Sequence, residues 1–221
     1  LYYSNPKVQE EIFNFSKDRE IVPSYNMESF GKRPDSLQYP ADIIASVRKG
    51  ATSFHSSEEI WHDPLQINSD LSQSELTELR KSWDLLIDVD SPYLDYSKIA
   101  TKLLIKMLEK HGVSNYGIKF SGSKGFHIIV PGNAFPEEFE GEKRHESFPV
   151  WPRAICGYLM EEIKQEYNEE INKWEWNAST FKALKERTGL TEEDITEIPC
   201  PNCNKTAKKG NLVNLICNRC N

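Results

Sequence analysis

Two apolar periodicities alternate along the chain, one that of a helix and one that of a half-buried strand. Asn5-Pro6 reads as an N-cap followed by proline at the first helical position, and Val8, Ile12 and Phe13 then share one helical face. Arg19-Glu20-Ile21-Val22 predicts a short strand, and the polar stretch 23–38, with Gly31 and Pro34, predicts a loop. Pro40 opens a second helix that carries Ile43, Ile44 and Val47 and is closed by Gly50; residues 52–55 predict a strand. Ser72 with Glu75 forms a capping box for a helix through about Lys81.

The clearest strand follows. In Asp84-Leu85-Leu86-Ile87-Asp88-Val89-Asp90, the apolar Leu85, Ile87 and Val89 alternate with Asp84, Leu86, Asp88 and Asp90. Pro92 and Asp95 mark a turn. An amphipathic helix with Ile99, Leu103, Leu104, Met107 and Leu108 comes next and stops at Gly112. Tyr116, Ile118 and Phe120 alternate as a second strand, Ser121-Gly122-Ser123-Lys124-Gly125 is a turn, and Phe126, Ile128 and Val130 alternate as a third, ended by Pro131-Gly132. A long helix runs from about Arg153 to Trp174, with Ile155, Leu159, Ile163, Tyr167 and Ile171 in register, and residues 179–188 predict a shorter one. There is no internal repeat and no low-complexity tract.

Strand, helix, strand, strand, helix is most of a ferredoxin-like βαββαβ unit. The predicted fold class is therefore α/β in the α+β sense. It has a ferredoxin- or RRM-like βαββα core without its last strand, an N-terminal αβ module before it and a small cysteine-bearing module after it. The expected boundaries are 1–82, 83–195 and 196–221.

With 221 residues the chain can form one or two domains with a real core. Its formal charge of −7 excludes a surface that is basic all over, so any nucleic-acid footprint must be local. No apolar run is long enough to span a bilayer and no signal-peptide pattern opens the sequence, so no membrane partner is expected. The expected location is cytoplasmic, or nuclear in a eukaryote. Leu1 in place of a methionine suggests an excised or processed segment.

Four of the five cysteines form two Cys-x-x-Cys pairs, Cys200-Pro-Asn-Cys203 and Cys217-Asn-Arg-Cys220. Each pair can present two thiolates to one tetrahedral ion, and the spacing is that of a zinc ribbon holding structural Zn²⁺. A redox pair needs only one such motif, and an iron site fits less well. So short a module has almost no core, so the metal must supply much of its folding energy. Lys205, Lys208, Lys209 and Arg219 make the segment basic on an acidic chain, which suits either phosphate-backbone contact or a solvated face. Cys156 reads as a buried structural thiol, and His55, His62, His111 and His145 have no partner at ligand spacing. Trp174 and Trp176 read as core positions.

Asp88 and Asp90 project from one strand face, roughly 7 Å apart along the strand. Carboxylates so close repel unless a cation lies between them, and Mg²⁺ or Mn²⁺ takes oxygen ligands of this kind. Alone, the Asp-Val-Asp triplet fits two solvated aspartates at a strand end better than a metal pair. In the predicted unit, however, the first and third strands are neighbours, so the 121–127 hairpin lies beside these carboxylates. Gly122 and Gly125 leave backbone N–H groups accessible, Ser121 and Ser123 supply hydroxyls, Lys124 a cation and His127 a ring N–H: the parts of a phosphate cradle. A five-residue turn or a bulge is expected, because only that places Ser121 and His127 on one face.

Asp88-Val89-Asp90, a helix, and then Ser121-Gly122-Ser123-Lys124-Gly125-Phe126-His127 resembles the first two motifs of the archaeo-eukaryotic primase superfamily, and most nearly the catalytic small subunit of archaeal and eukaryotic primases. The resemblance covers residues 83–131 well and residues 2–64 only loosely. It implies a polymerase core in which Asp88 and Asp90 hold two catalytic Mg²⁺ or Mn²⁺ ions and Ser121, Ser123, Lys124 and His127 bind the incoming triphosphate. The implied activity is primer synthesis from nucleoside triphosphates on a single-stranded DNA template, with a large primase subunit as partner. In one respect the chain departs from the family. No aspartate after Ile128 lies in a strand-like apolar context, where the family has a third metal ligand; Asp194 sits in a polar stretch. The expectation is a polypeptide that stops before that aspartate and the fourth strand. Two alternatives come from the same motifs: a nucleic-acid-binding module with a zinc ribbon and no chemistry, and a repair-type polymerase domain. A metal-dependent nuclease would also use paired aspartates but has less need of the cradle.

Overall fold

The computed structural model describes residues 2–26, 29–91 and 93–175, and beyond them the backbone of three short strands at 198–199, 206–209 and 215–216. The molecule is a mixed α/β protein of small antiparallel sheets and, among the described residues, five α-helices. It divides into two compact units, residues 1–164 and 165–221.

The first unit opens with α1 (Pro6–Ser16), capped by the Asn5 side chain accepting from the Lys7 N–H. It continues with β1 (Ile21–Tyr25), β2 (Ser29–Phe30), α2 (Ala41–Arg48) and β3 (Ala51–Ser56). These strands make an antiparallel sheet in the order β2-β1-β3. The stretch 23–38 is thus not all loop. Pro23 lies inside β1, where β2 has not yet paired and where the Pro23 carbonyl accepts from the Gly31 N–H at 2.8 Å. A second hairpin, β4 (Glu59–Trp61) with β5 (Arg80–Trp83), is absent from the sequence reading. The capping box at Ser72 and Glu75 does start α3, but α3 (Gln73–Leu79) ends before Arg80 and the chain turns directly into β5. Arg80 explains the change. Its side chain is buried against Trp61 and Phe148 and bonds Glu59 Oε1 at 2.9 Å, so tertiary partners override the helical pattern.

The third sheet consists of β6 (Leu85–Val89), β7 (Gly117–Phe120) and β8 (Phe126–Val130) in the order β6-β8-β7, all antiparallel. Helix α4 (Leu94–Lys110) joins β6 to β7 and packs on β6 and β8. A small hairpin of β9 (Glu138–Phe139) and β10 (Glu142–Lys143) follows, and then α5 (Val150–Glu175). Leu85, Ile87 and Val89 pair across to Val130, Ile128 and Phe126 and, with Leu103, Leu104 and Leu108 of α4, form the core. The other side chains of these strands point away from α4.

The two halves of this unit are joined through a buried ion pair. The Arg19 guanidinium bonds the Asp84 carboxylate at the foot of β6, and also the carbonyls of Phe15, Ser57 and Glu58. The other Asp84 oxygen accepts from the Gly132 N–H at 2.8 Å, just past the end of β8. Position 132 has to be glycine: a Cβ there would lie 2.1 Å from the Trp83 carbonyl oxygen. Asp84, which continues the exposed alternation in the sequence, is therefore structural. Beside it Trp83, fully buried, donates from Nε1 to the Arg144 carbonyl at 2.6 Å and packs on Phe135 and Trp151.

In the second unit, β11 (Ile198–Pro199), β12 (Thr206–Lys209) and β13 (Leu215–Ile216) form an antiparallel sheet in the order β11-β12-β13. The expected helix at 179–188 and the four cysteines Cys200, Cys203, Cys217 and Cys220 lie outside the described residues.

Replacing Arg19 by alanine leaves Asp84 buried with only one of its partners. The expected loss is about 3–5 kcal/mol in chemical denaturation. Lys81→Ala, which removes the exposed Lys81–Asp18 pair, should cost about 1 kcal/mol or less. Equal losses in the two variants would refute the structural role given to Arg19.

Candidate functional site

On the face of the β6-β8-β7 sheet turned away from α4, register puts three charged or titratable residues in a row. Asp88 pairs with His127, and His127 pairs with Lys119. Directly paired residues share a face, so the row runs carboxylate, imidazole, ammonium from one edge of the sheet to the other. Asp88 Oδ1 lies 3.5 Å from His127 Nε2, longer than a well-formed hydrogen bond, and the Asp88 side chain is 66 % exposed. Both groups thus face solvent without a tight partner among the described residues.

Phe120 pairs with Phe126, which leaves five residues, 121–125, in the connection. That is the length that places Ser121 on the His127 face. The Ser121 N–H donates to the Gly125 carbonyl at 2.9 Å, and the Gly125 N–H donates back to Ser121 Oγ at 3.2 Å, closing the base of the turn. Gly125 is buried against β6. A Cβ on it would stand 2.6 Å from the Val89 carbonyl oxygen and 3.2 Å from both Asp90 Oδ1 and Ser121 Oγ. The missing side chain is what lets the Asp90 carboxylate and the Ser121 hydroxyl converge on one point. Asp90 also accepts from the Ser91 N–H at 3.0 Å. Ser123 and Lys124 are exposed at the tip of the turn.

Among the described residues no group of three or more His, Cys, Asp or Glu side chains is arranged to hold a metal ion. Asp88 and Asp90 nevertheless suit a hard divalent cation that completes its shell from outside the protein. Mg²⁺ is commonly held by one or two carboxylates together with waters and substrate phosphates rather than by an all-protein cage. The close approach of the Asp90 carboxylate and the Ser121 hydroxyl at Gly125 brings two oxygen donors of that kind together.

Sequence reasoning missed two features. Lys119 is one: in the sequence it is only a polar residue in an alternating strand, and cross-strand pairing reveals where it sits. The other is a cleft of about 390 Å³ lined by Glu20, Phe30, Arg33, His55, Glu58 and Leu86, among others. Leu86 is on the Asp88 face of β6, one step of the strand alternation away, so the cleft opens alongside the site. Glu20 is buried and held by Nε and Nη2 of the more exposed Arg33, at 2.8 and 2.6 Å. Burial, and secondarily the neighbouring Glu59, raises the Glu58 carboxyl above the ordinary range. Burial also raises Glu59, against the opposing pull of Arg80.

No protein-family model matches the chain. It is similar to the uncharacterized protein MJECS07 of Methanocaldococcus jannaschii, with 40 % identity over 57 residues. That stretch is 25 % of this chain and 13 % of the relative, so the chain spans only a small part of that protein's length.

A carboxyl whose pKa is raised by folding destabilises the folded state when ionised, and the penalty appears as pH rises through the carboxylate range. Glu58→Gln should therefore raise the thermal midpoint at pH 7. The gain should shrink to nothing as pH falls below the ordinary glutamate value of 4.5. A gain of the same size at pH 3.5 and pH 7 would rule out burial of the charge as its source.

Proposed function

We propose that this chain carries the nucleotide-binding face of a template-dependent nucleotidyltransferase of the primase-polymerase type, built on a ferredoxin-like core. The observation that supports it most is the pairing of Asp88 with His127 while Asp90 and Ser121 converge over Gly125. Carboxylates for a divalent cation and donors for a polyphosphate then share one solvent-facing sheet surface. A nuclease would use the carboxylates but leaves the cradle unexplained.

In this reading Asp88 and Asp90 hold Mg²⁺ or Mn²⁺. A cation held by these two carboxylates would supply Lewis-acid chemistry, activation of a 3′-hydroxyl and charge stabilisation on a leaving pyrophosphate. Ser121 and Ser123 donate hydroxyl hydrogens to the triphosphate, and Lys124 and His127 neutralise charge that builds on it. His127 Nε2 lies 3.5 Å from Asp88 Oδ1, near enough for the carboxylate to orient the ring. The adjoining cleft, with its carboxylates and the Phe30 and His55 rings, offers hydrogen-bond acceptors and an apolar wall to the nucleoside part. A single-stranded DNA template and a large primase subunit are the partners this reading expects.

A reading without chemistry is favoured by one observation: among the described residues the two aspartates have no third carboxylate beside them. A nucleic-acid-binding module would fit that. The two readings separate on nucleotide binding. Asp88→Asn and Asp90→Asn should each weaken Mn²⁺-dependent binding of nucleoside triphosphates in calorimetric titration, by about tenfold or more. His127→Ala should weaken all four nucleotides by similar factors, since a phosphate contact carries no base information. Unchanged affinity in both aspartate variants would refute the nucleotidyltransferase reading.

The zinc ribbon is likewise proposed. Chain position puts Cys200 and Cys203 between β11 and β12, and Cys217 directly after β13. Because the strands are antiparallel, the end of β11, the start of β12 and the end of β13 lie at one end of the small sheet. Four cysteine thiolates would fill every position of a tetrahedral Zn²⁺ site, leaving none for substrate or water. A strong chelator should remove hydrogen-exchange protection from about residue 199 onward while β6 and β8 stay protected. Loss of protection in Leu85–Val89 at the same chelator concentration would contradict a separable, structural role.

A further inference from the structure

Lys119 occupies the outer end of the row Asp88, His127, Lys119. It is exposed, and no ion pair or hydrogen bond engages its ammonium among the described residues. Two residues on, and therefore on the same face, Ser121 begins the turn that carries Ser123 and Lys124. Adjacent strands lie about 4.8 Å apart, so the Lys119 backbone is about 10 Å from that of Asp88 across the sheet, and its long side chain can reach back over His127. The surface is thus graded: anionic at β6, titratable at β8 and cationic at β7.

A polyphosphate laid across such a gradient has only one favourable direction. The phosphates that share a cation with Asp88 and Asp90 must lie over β6, and the far end of the chain must lie over β7. The far end of a nucleoside triphosphate is its most highly charged phosphate, and a compact, strongly hydrated ammonium is well suited to it. We propose that Lys119 binds the terminal phosphate and makes the site selective for nucleoside triphosphates over diphosphates. This rests on the nucleotide-binding reading of the Asp88–His127 face and adds to it a specificity residue. Lys119 is exposed and takes part in no buried network among the described residues.

The test is calorimetric titration of ATP and ADP in the presence of Mn²⁺, with wild type, Lys119→Met, Lys119→Arg and His127→Ala. Wild type should bind ATP more tightly than ADP. Lys119→Met should weaken ATP about tenfold, the scale of one charged hydrogen bond, and leave ADP unchanged, so that discrimination is lost. Lys119→Arg should keep most of the preference. His127→Ala should weaken both ligands. If Lys119→Met weakens both nucleotides alike, or leaves the wild-type preference intact, the terminal-phosphate assignment is wrong while the nucleotide-binding reading stands. If wild type binds neither nucleotide, the nucleotide-binding reading fails and the assignment with it.

Discussion

The geometry of the candidate site depends on the buried pair between Arg19 and Asp84. Buried ion pairs contribute little net stability because desolvation offsets attraction, but they tolerate few alternatives: each partner left alone is a charge with no solvent. Arg19 brings the end of α1 and the 57–58 segment to the foot of β6, and the second Asp84 oxygen holds the Gly132 N–H beyond β8. The β6–β8 register is thereby fixed at one end by charge and along its length by Leu85, Ile87 and Ile128. A slip of one residue would turn Asp88 onto the α4 face and Ile87 into solvent. The residues of the candidate site are placed by constraints at the opposite end of the same strands.

From this fixed register follows a division of labour between the two faces of the sheet. One holds only apolar side chains and is covered by α4 over β6 and β8, while Ile118 and Phe120 of β7 stay about half exposed. The other carries Leu86, Asp88, Ile129, His127, Gly117 and Lys119, and its polarity rises toward the turn end of the hairpin. Gly125 marks the boundary. Its bare Cα lets β6 and the turn approach closely enough for Asp90 and Ser121 to face the same space. The cleft beside Leu86 continues the polar face into the N-terminal half, where the half-buried carboxylates Glu58 and Glu59, raised in pKa, lie near the paired Glu20 and Arg33. An anionic wall and a cationic edge on either side of one imidazole orient a charged ligand more than they simply attract it.

What the sequence makes legible is what period and spacing encode. The alternation of β6 and β8, the periodicity of α4 and the capping box of α3 depend on neighbours in the chain, and each appears where it was expected. The alignment of Ser121 with His127 depended only on a turn length, and the five-residue connection provides it. The β4–β5 hairpin was not legible because Arg80 and Trp83 are chosen by partners far away in sequence, Phe148 and Arg144 among them. Asp84 looked like part of the exposed alternation because its partner is 65 residues distant. Lys119 looked like any strand lysine until pairing put it opposite His127.

The central claim is that Asp88, Asp90 and His127 form one site for a divalent cation and a polyphosphate together. Mn²⁺ broadens NMR signals of nuclei near it, so the His127 ring resonances report directly on that claim. With Mn²⁺ and a nucleoside triphosphate both present, the His127 signals should broaden strongly while those of His55, His62 and His145 broaden less, and Asp88→Asn should abolish the effect. His127 signals that stay sharp under conditions where the protein binds the nucleotide would place metal and triphosphate elsewhere and contradict the account.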